Sequence, residues 1–443
     1  MLARALSLRL SAAQLASMLV AIAVGASSIV FAEPAVADVL MLGVIVALPV
    51  LGTLRFGPIS LLNIALWLGL CALGLAVAIL AATTSVAVVH QLVTLFLACG
   101  AFVLAGFVAE DPEPRFHLIM RWYVVACLIA TLAAFVGYFE IVPSAYDLFT
   151  NYGRARGTFK DPNVYGAALA PAIVYCVWML LRSPKRQALL AAAVSLPLAV
   201  GLLITFSRGA WISTCLSLAI LGWVAYISGR RRADRMRLLV VAVMGSLGLA
   251  LALGAVLQLK GVEDLFTQRA NLDQGYDSGP EGRFGGQEKA FNLVAQNPLG
   301  IGTFTFSEKY HSEDVHNVYL TMFLNAGWLG GVLYICSVAL TLYGAFRGSL
   351  RLGALHGPFL VAGAAFAGVA FEGMVIDSDH WRHFFLLMGL IWGLADARAP
   401  VLDATRRRTD LPGVGVVRTS QSGGMTRQSA RDAREHLSAR VET

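Results

Sequence analysis

The residues of this 443-residue chain best suited to chemistry are arginines and histidines in polar segments between long apolar runs. The first segment, NYGRARGTFKDPNVYG, gathers Arg154, Arg156 and Lys160 ahead of a helix start, with Asp161 or Asn163 as cap and Pro162 in the first turn. Three cations beside a helix N-terminus make an anion site, because the unpaired N–H groups of the first turn add to the positive field. Contact with lipid headgroups is the plainer alternative. The second segment, TFSRGAW, places Ser207, Arg208 and Gly209 in a tight turn almost at membrane level. An arginine there either snorkels to the interface or meets an anionic ligand. Trp211 reads as an interfacial anchor.

A third segment runs from EGRFGGQEKAF through NPLGIG to HSEDVHN. Its Arg283 can grip a phosphate through two parallel N–H bonds, as lysine cannot, or can pair with Glu281 or Glu288 at the surface. His316, followed by Asn317, sits where the chain re-enters an apolar run. A neutral imidazole there can accept a hydroxyl proton near neutral pH, or can simply bond a backbone carbonyl. The last segment, IDSDHWRH, holds Asp377, Asp379, His380, Arg382 and His383. Two carboxylates can hold a hard cation, but with Arg382 adjacent the triplet reads better as an ion-pair cluster or as support for His316. Glu372, inside the preceding apolar run, is a costly placement that calls for an arginine partner.

Long apolar runs must position these groups. The chain is 57% hydrophobic and 14% charged, with a mean hydropathy of +0.69, more apolar than one soluble core can conceal. About twelve windows approach span length: Ala12 to Phe31, Ala37 to Thr53, Ile59 to Ala82, Val86 to Val108, Leu118 to Tyr138, Val164 to Leu181, Ala188 to Thr205, Ala210 to Ile227, Leu238 to Leu257, Trp328 to Ala345, Pro358 to Val375 and Phe384 to Leu394. The first is read as a retained helix, since it lacks a small-residue cleavage site. With the N-terminus inside, 24 of the 34 Lys and Arg fall in cytoplasmic segments, so both termini are expected in the cytoplasm and the arginine and histidine segments outside. The net charge of +7 then reflects topology, not nucleic-acid binding. The six cysteines lie in apolar runs without CxxC spacing, so neither disulfides nor a zinc site is expected. The organisation predicted is an N-terminal helical segment (1–138), a core (139–346) whose long outer loop spans 258–314, two C-terminal helices (347–396), and a basic, disordered tail (397–443).

Arg156 with Gly157, Phe159 and Asn163, then SRGAW, NPLGIG, and finally His316-Asn317 with Gly327 and Gly330, together resemble the O-antigen ligase and polymerase family. The resemblance covers about Tyr152 to Gly330, and the order of the motifs carries it. An Arg-x10-Gly pattern of some polymerases is not present: eleven positions beyond Arg156 stands Ala167, and beyond Arg283 stands Val294. That departure leans toward ligases or exopolysaccharide polymerases. The resemblance implies an all-α, GT-C-like bundle in a bacterial inner membrane, with its active site facing the periplasm. It implies an inverting glycosyltransferase without metal or other cofactor, moving a glycan from a polyprenyl-diphosphate carrier to a hydroxyl of lipid A core or of another lipid-linked glycan. By carry-over, Arg156, Arg208 and Arg283 would bind the diphosphate and His316 would activate the acceptor, with Arg154, Lys160, Asn163, Ser207, Asn317, Asp379 and Arg382 in support. A transporter of lipid-linked glycans is the rival reading; it would put charge along a mid-membrane path, and apart from Glu372 the apolar runs carry almost none.

Overall fold

The computed structural model describes residues 11–229, 231–258 and 279–397. The expected tail from 398 on, and residues 259–278 of the long loop, lie outside them. The described chain is an all-α polytopic membrane protein. Its helices are α1 (Ala12–Gly25), α2 (Val36–Val50), α3 (Pro58–Val77), α4 (Thr84–Glu110), α5 (Pro112–Tyr138), the single turn α6 (Tyr146–Phe149), α7 (Pro162–Arg182), α8 (Lys185–Leu203), α9 (Arg208–Ser228), α10 (Arg232–Leu257), α11 (Arg283–Gln296), the short α12 (Thr305–Lys309), α13 (Val318–Ser349), α14 (His356–Glu372) and α15 (Arg382–Ala397). A two-residue hairpin, β1 (Thr150–Asn151) with β2 (Arg154–Ala155), is the one sheet among the described residues.

Each of the twelve apolar windows contains a helix, but eight helices among the described residues are long and apolar enough to cross a bilayer. The count of about twelve spans is corrected to that extent. Helices α1, α2, α14 and α15 have 14 to 17 residues, so at a rise of about 1.5 Å per residue they fall short of a roughly 30 Å hydrocarbon core. Hydropathy alone overran their ends, since apolar Phe31 and Val375 lie in turns. Every residue of α15 from His383 to Leu394 is buried, so protein surrounds this helix where lipid was expected. By contrast the apolar window of α10 is not buried at all and faces outward along its length.

Small residues let the helices approach closely. A side-chain atom at Gly389 or Gly393 of α15 would collide with the α4 backbone at Ala101 and Ala105. One at Gly368 of α14 would meet Ser213 and Ser217 of α9. Between α3 and α13, Trp67 donates its indole N–H to Ser337 at 2.9 Å, and its ring packs edge-on to Tyr334. At one end of the bundle the Asp396 carboxylate accepts the N–H groups of Gly57, Ile59 and Ser60 at 2.9 to 3.1 Å, capping α3 from α15. Nearby, buried Arg115 donates to the carbonyls of Thr53 and Phe107 and pairs with Glu110 at 2.7 Å. The polar loops that hold the candidate site gather at the opposite end.

One break inside α13 shapes that end. Gly327 has φ 72° and ψ −177°, which interrupts the helical ladder. The Trp328 N–H turns away to the Pro298 carbonyl (2.8 Å), and the Leu324 carbonyl accepts from Ile301 (2.8 Å) and Gly302 (3.1 Å). The NPLGIG segment thereby plugs the broken helix and satisfies the polar groups that the break exposes. Gly327→Ala places a Cβ against the Pro298 carbonyl at a backbone conformation only glycine adopts readily, so a stability loss of about 1 to 3 kcal/mol is expected. Thermal unfolding in detergent measures it, with Gly222→Ala as the comparison that adds a Cβ meeting nothing within 4 Å.

Candidate functional site

The first arginine segment is held by its own hairpin. Positive φ at Tyr152 and Gly153 turns the chain, and Thr150 pairs with Ala155. Arg154 is buried, with Nε donating to the Thr205 carbonyl and a terminal nitrogen donating to Asn163 Oδ1, both at 2.7 Å. The Ala155 N–H reaches the Ile204 carbonyl at 3.0 Å. Arg154 and Asn163 therefore fasten the hairpin to the turn ahead of α9. Arg156 is held loosely: its two terminal nitrogens reach the carbonyls of Lys160 and Asp147 at 3.4 Å each, and its buried Nε has no hydrogen-bond partner. Lys160 is exposed, 3.9 Å from Glu33. Asp161 rather than Asn163 caps α7, accepting the Asn163 N–H at 2.7 Å.

Ser207 caps α9 by accepting the Ala210 N–H, and Arg208, half-buried, is the first helical residue. The adjacent Gly209 faces Glu372: an added Cβ would lie 3.1 Å from Oε1 of that carboxylate. Glu372 is buried and accepts from the Ser213 hydroxyl at 2.7 Å. Its position at the end of α14 adjoins α13, because Val318 donates its N–H to the Gly373 carbonyl at 2.9 Å.

His316 lies on the other side of that junction, with φ 53°. Its N–H donates to Asp377 Oδ2 at 2.9 Å, and its carbonyl accepts from Gln287 of α11 at 2.9 Å. The backbone is thus fixed at both polar groups while the ring keeps partial exposure, with Nε2 3.4 Å from Glu313. Asn317 caps α13, accepting the N–H groups of Tyr319 (3.1 Å) and Leu320 (3.2 Å). Burial, and then the nearby Arg283 charge at the start of α11, lower His316 below the usual imidazole value against the opposing pull of Glu313 and Asp314. The imidazole is therefore neutral at pH 7 and can take a proton. Asp377 accepts from the Thr321 hydroxyl at 2.6 Å. Burial and the neighbouring Asp379 push it up to about 7.

Asp379 and Arg382 go elsewhere. Arg382 forms a two-pronged pair with Asp38 of α2, Nε to Oδ1 at 2.8 Å and a terminal nitrogen to Oδ2 at 2.7 Å. Asp379 meets His90 of α4, Nε2 to Oδ2 at 3.0 Å. Burial raises Asp379, but His380 and His90 outweigh that and hold it below the usual carboxylate range. It is Asp377, not Asp379, that touches His316. A cavity of about 320 Å³ opens between these groups, with Lys160, Asp314, Asp377, Asp379, His380 and Arg382 at its polar part and α1, α2, α4 and α5 forming an apolar shaft. Arg156, Arg208, Arg283 and His316 stand on segments beside it and are not among its lining residues. Sequence reading passed over His90 and Asp38, both absorbed into apolar windows. The one signal for His90 is the short polar stretch HQLVT within such a window.

A family model described as O-antigen ligase matches residues 193–335. The match includes Arg208, Arg283, His316, Asn317, Gly327 and Gly330, and it ends short of Asp377. Among curated proteins none matches the chain.

The raised Asp377 carboxyl makes a pH prediction. An acid whose folded value of about 7 exceeds its ordinary 3.8 favours the folded state most below that ordinary value. Its contribution is lost as pH rises through 7, because the folded chain holds the extra proton. Thermal unfolding of Asp377→Asn, neutral at all pH, should therefore show a shallower stability decline between about pH 4 and 7 than the parent chain.

Proposed function

We propose, from the match of an O-antigen ligase family model to residues 193–335, that the chain is a glycosyltransferase acting at the periplasmic face of the cytoplasmic membrane. It moves a glycan from a polyprenyl-diphosphate carrier to an acceptor hydroxyl, either on lipid A core or on a second lipid-linked glycan. The observation that carries this reading is a half-buried neutral His316, its backbone fixed by Asp377 and Gln287, with the Arg283 charge close by.

The chemistry asks for little more. The acceptor hydroxyl gives its proton to the His316 imidazole while its oxygen bonds to the anomeric carbon. The bond from that carbon to the diphosphate oxygen breaks, and the diphosphate leaves on its polyprenyl chain. Attack from the side opposite the leaving group inverts the anomeric centre. A diphosphate is already a good leaving group, so Arg208, Arg283 and Arg156 need only strengthen their hold as charge develops on it. These cations perform the neutralisation, so the transfer step is metal-independent. The unpaired Nε of Arg156 fits such a role, whereas Arg154 and Asn163 act by holding the loop. The lowered His316 value keeps the base in its proton-accepting form below neutral pH.

With purified protein and a synthetic polyprenyl-diphosphate glycan, His316→Ala and Arg208→Ala should each lower transfer by about 100-fold or more. Full transfer by both variants refutes the mechanism, and facilitated flipping without transfer favours a transporter. A ladder of products marks a polymerase and a single addition marks a ligase. The acid limb of the pH–rate profile should fall below the ordinary imidazole value of about 6.5, since the cited shift is downward; an acid limb above it contradicts the placement of His316 beside Arg283.

A further inference from the structure

His90, Asp379 and His380 form a cluster that the transfer chemistry leaves unused. One nitrogen of each histidine and one oxygen of Asp379 all lie within 4.8 Å of one another. The two imidazole rings stack at 4.0 Å between centroids. Side chains of His90 and Asp379 are about nine-tenths buried, with 10% and 11% exposure. The ion pair does not satisfy His90, because its Nδ1 is buried without a hydrogen-bond partner. On one side of the cluster Asp314, Asp377 and Asp379 line a small adjoining cavity of about 60 Å³ whose described lining holds no Lys or Arg; on the other, the larger cavity carries Lys160 and Arg382 beside its acids.

We propose that His90, Asp379 and His380 bind a divalent transition-metal ion of the zinc type. Two imidazoles and a carboxylate suit such a borderline cation better than Mg²⁺ or Ca²⁺, which prefer all-oxygen shells. In a tetrahedral site with bonds of roughly 2.0 to 2.1 Å, neighbouring ligand atoms lie about 3.3 Å apart. Contraction of the cluster by about 1 to 1.5 Å through side-chain rotation closes the set around an ion. All three residues line the larger cavity, which gives an ion access to them.

The ion would tie α4 to the loop between α14 and α15, two residues beyond the Asp377 carboxylate that holds His316. Its role is to position that loop, not to touch the diphosphate, so it is compatible with metal-independent transfer. The site stands whether or not the chain transfers glycan.

Full-length protein in detergent, freed of its purification tag and stripped with chelator, is titrated with Co²⁺ followed by visible absorption, then with Zn²⁺ in competition. One equivalent of Co²⁺ with ligand-field bands, displaced by Zn²⁺ but not by Ca²⁺, and lost in His90→Ala and His380→Gln while kept in His311→Ala, is the expected result. A parent chain that takes up no Co²⁺, displacement by Ca²⁺ as readily as by Zn²⁺, or an unchanged equivalent in both ligand variants overturns the site. The parent titration decides the matter even if a variant misfolds. Zinc should also slow amide hydrogen exchange across residues 376–381 by tenfold or more; binding without any slowing overturns the positioning role.

Discussion

The Asp377 carboxylate is the interaction on which the geometry of this end of the bundle depends. One oxygen accepts the His316 N–H, the other accepts the Thr321 hydroxyl one helical turn farther on. Together they hold the left-handed turn at His316 against the start of α13, so the imidazole has a defined origin although its own ring is only loosely held. A bond to the backbone N–H fixes where the residue sits without using a ring nitrogen. Burial gives that carboxylate its strength and also its sensitivity to protonation.

Behind the turn lies a second constraint, the need to satisfy backbone groups at membrane depth. A helix broken at Gly327 exposes donors and acceptors that lipid cannot serve. The Pro298–Gly302 segment supplies their partners, so the break becomes a socket that fixes where the long loop returns to the bundle. From that socket the chain runs through α12 to His316, and α11 lies across it with Gln287 bonded to the His316 carbonyl. Breaking the helix thus anchors the loop that brings Arg283 near the imidazole.

The arginines divide along the same physical line. Arg154 and Arg382, satisfied at short range by Asn163 and Thr205 and by Asp38 respectively, hold elements together. Arg156 keeps weak bonds and one unpaired nitrogen, and Arg208 opens a helix whose first turn faces a buried carboxylate. Arg154 and Arg382 are thus committed to fastening the fold, whereas Arg156 can exchange its weak partners for an anion.

Composition, apolar periodicity and local motifs were enough to establish a helical membrane bundle, its apolar helices and the polar segments that carry arginine and histidine, because each of these depends on neighbours within a few residues. A cap for α7 at Asp161 or Asn163 is legible for the same reason, and the structure gives it to Asp161. Helix lengths were not: α15 reads as a lipid-facing span, and only packing on all sides shows it to be the buried centre. The pairing of Asp377 with His316, Arg382 with Asp38, and Asp379 with His90 joins residues 61 to 344 positions apart. Such pairs are decided by which helices lie side by side, and a lone histidine in an apolar run carries no local mark of the carboxylate it will meet. Sequence alone thus determined which segments carry the arginines and histidines, and the tertiary structure decided which of those groups face one another.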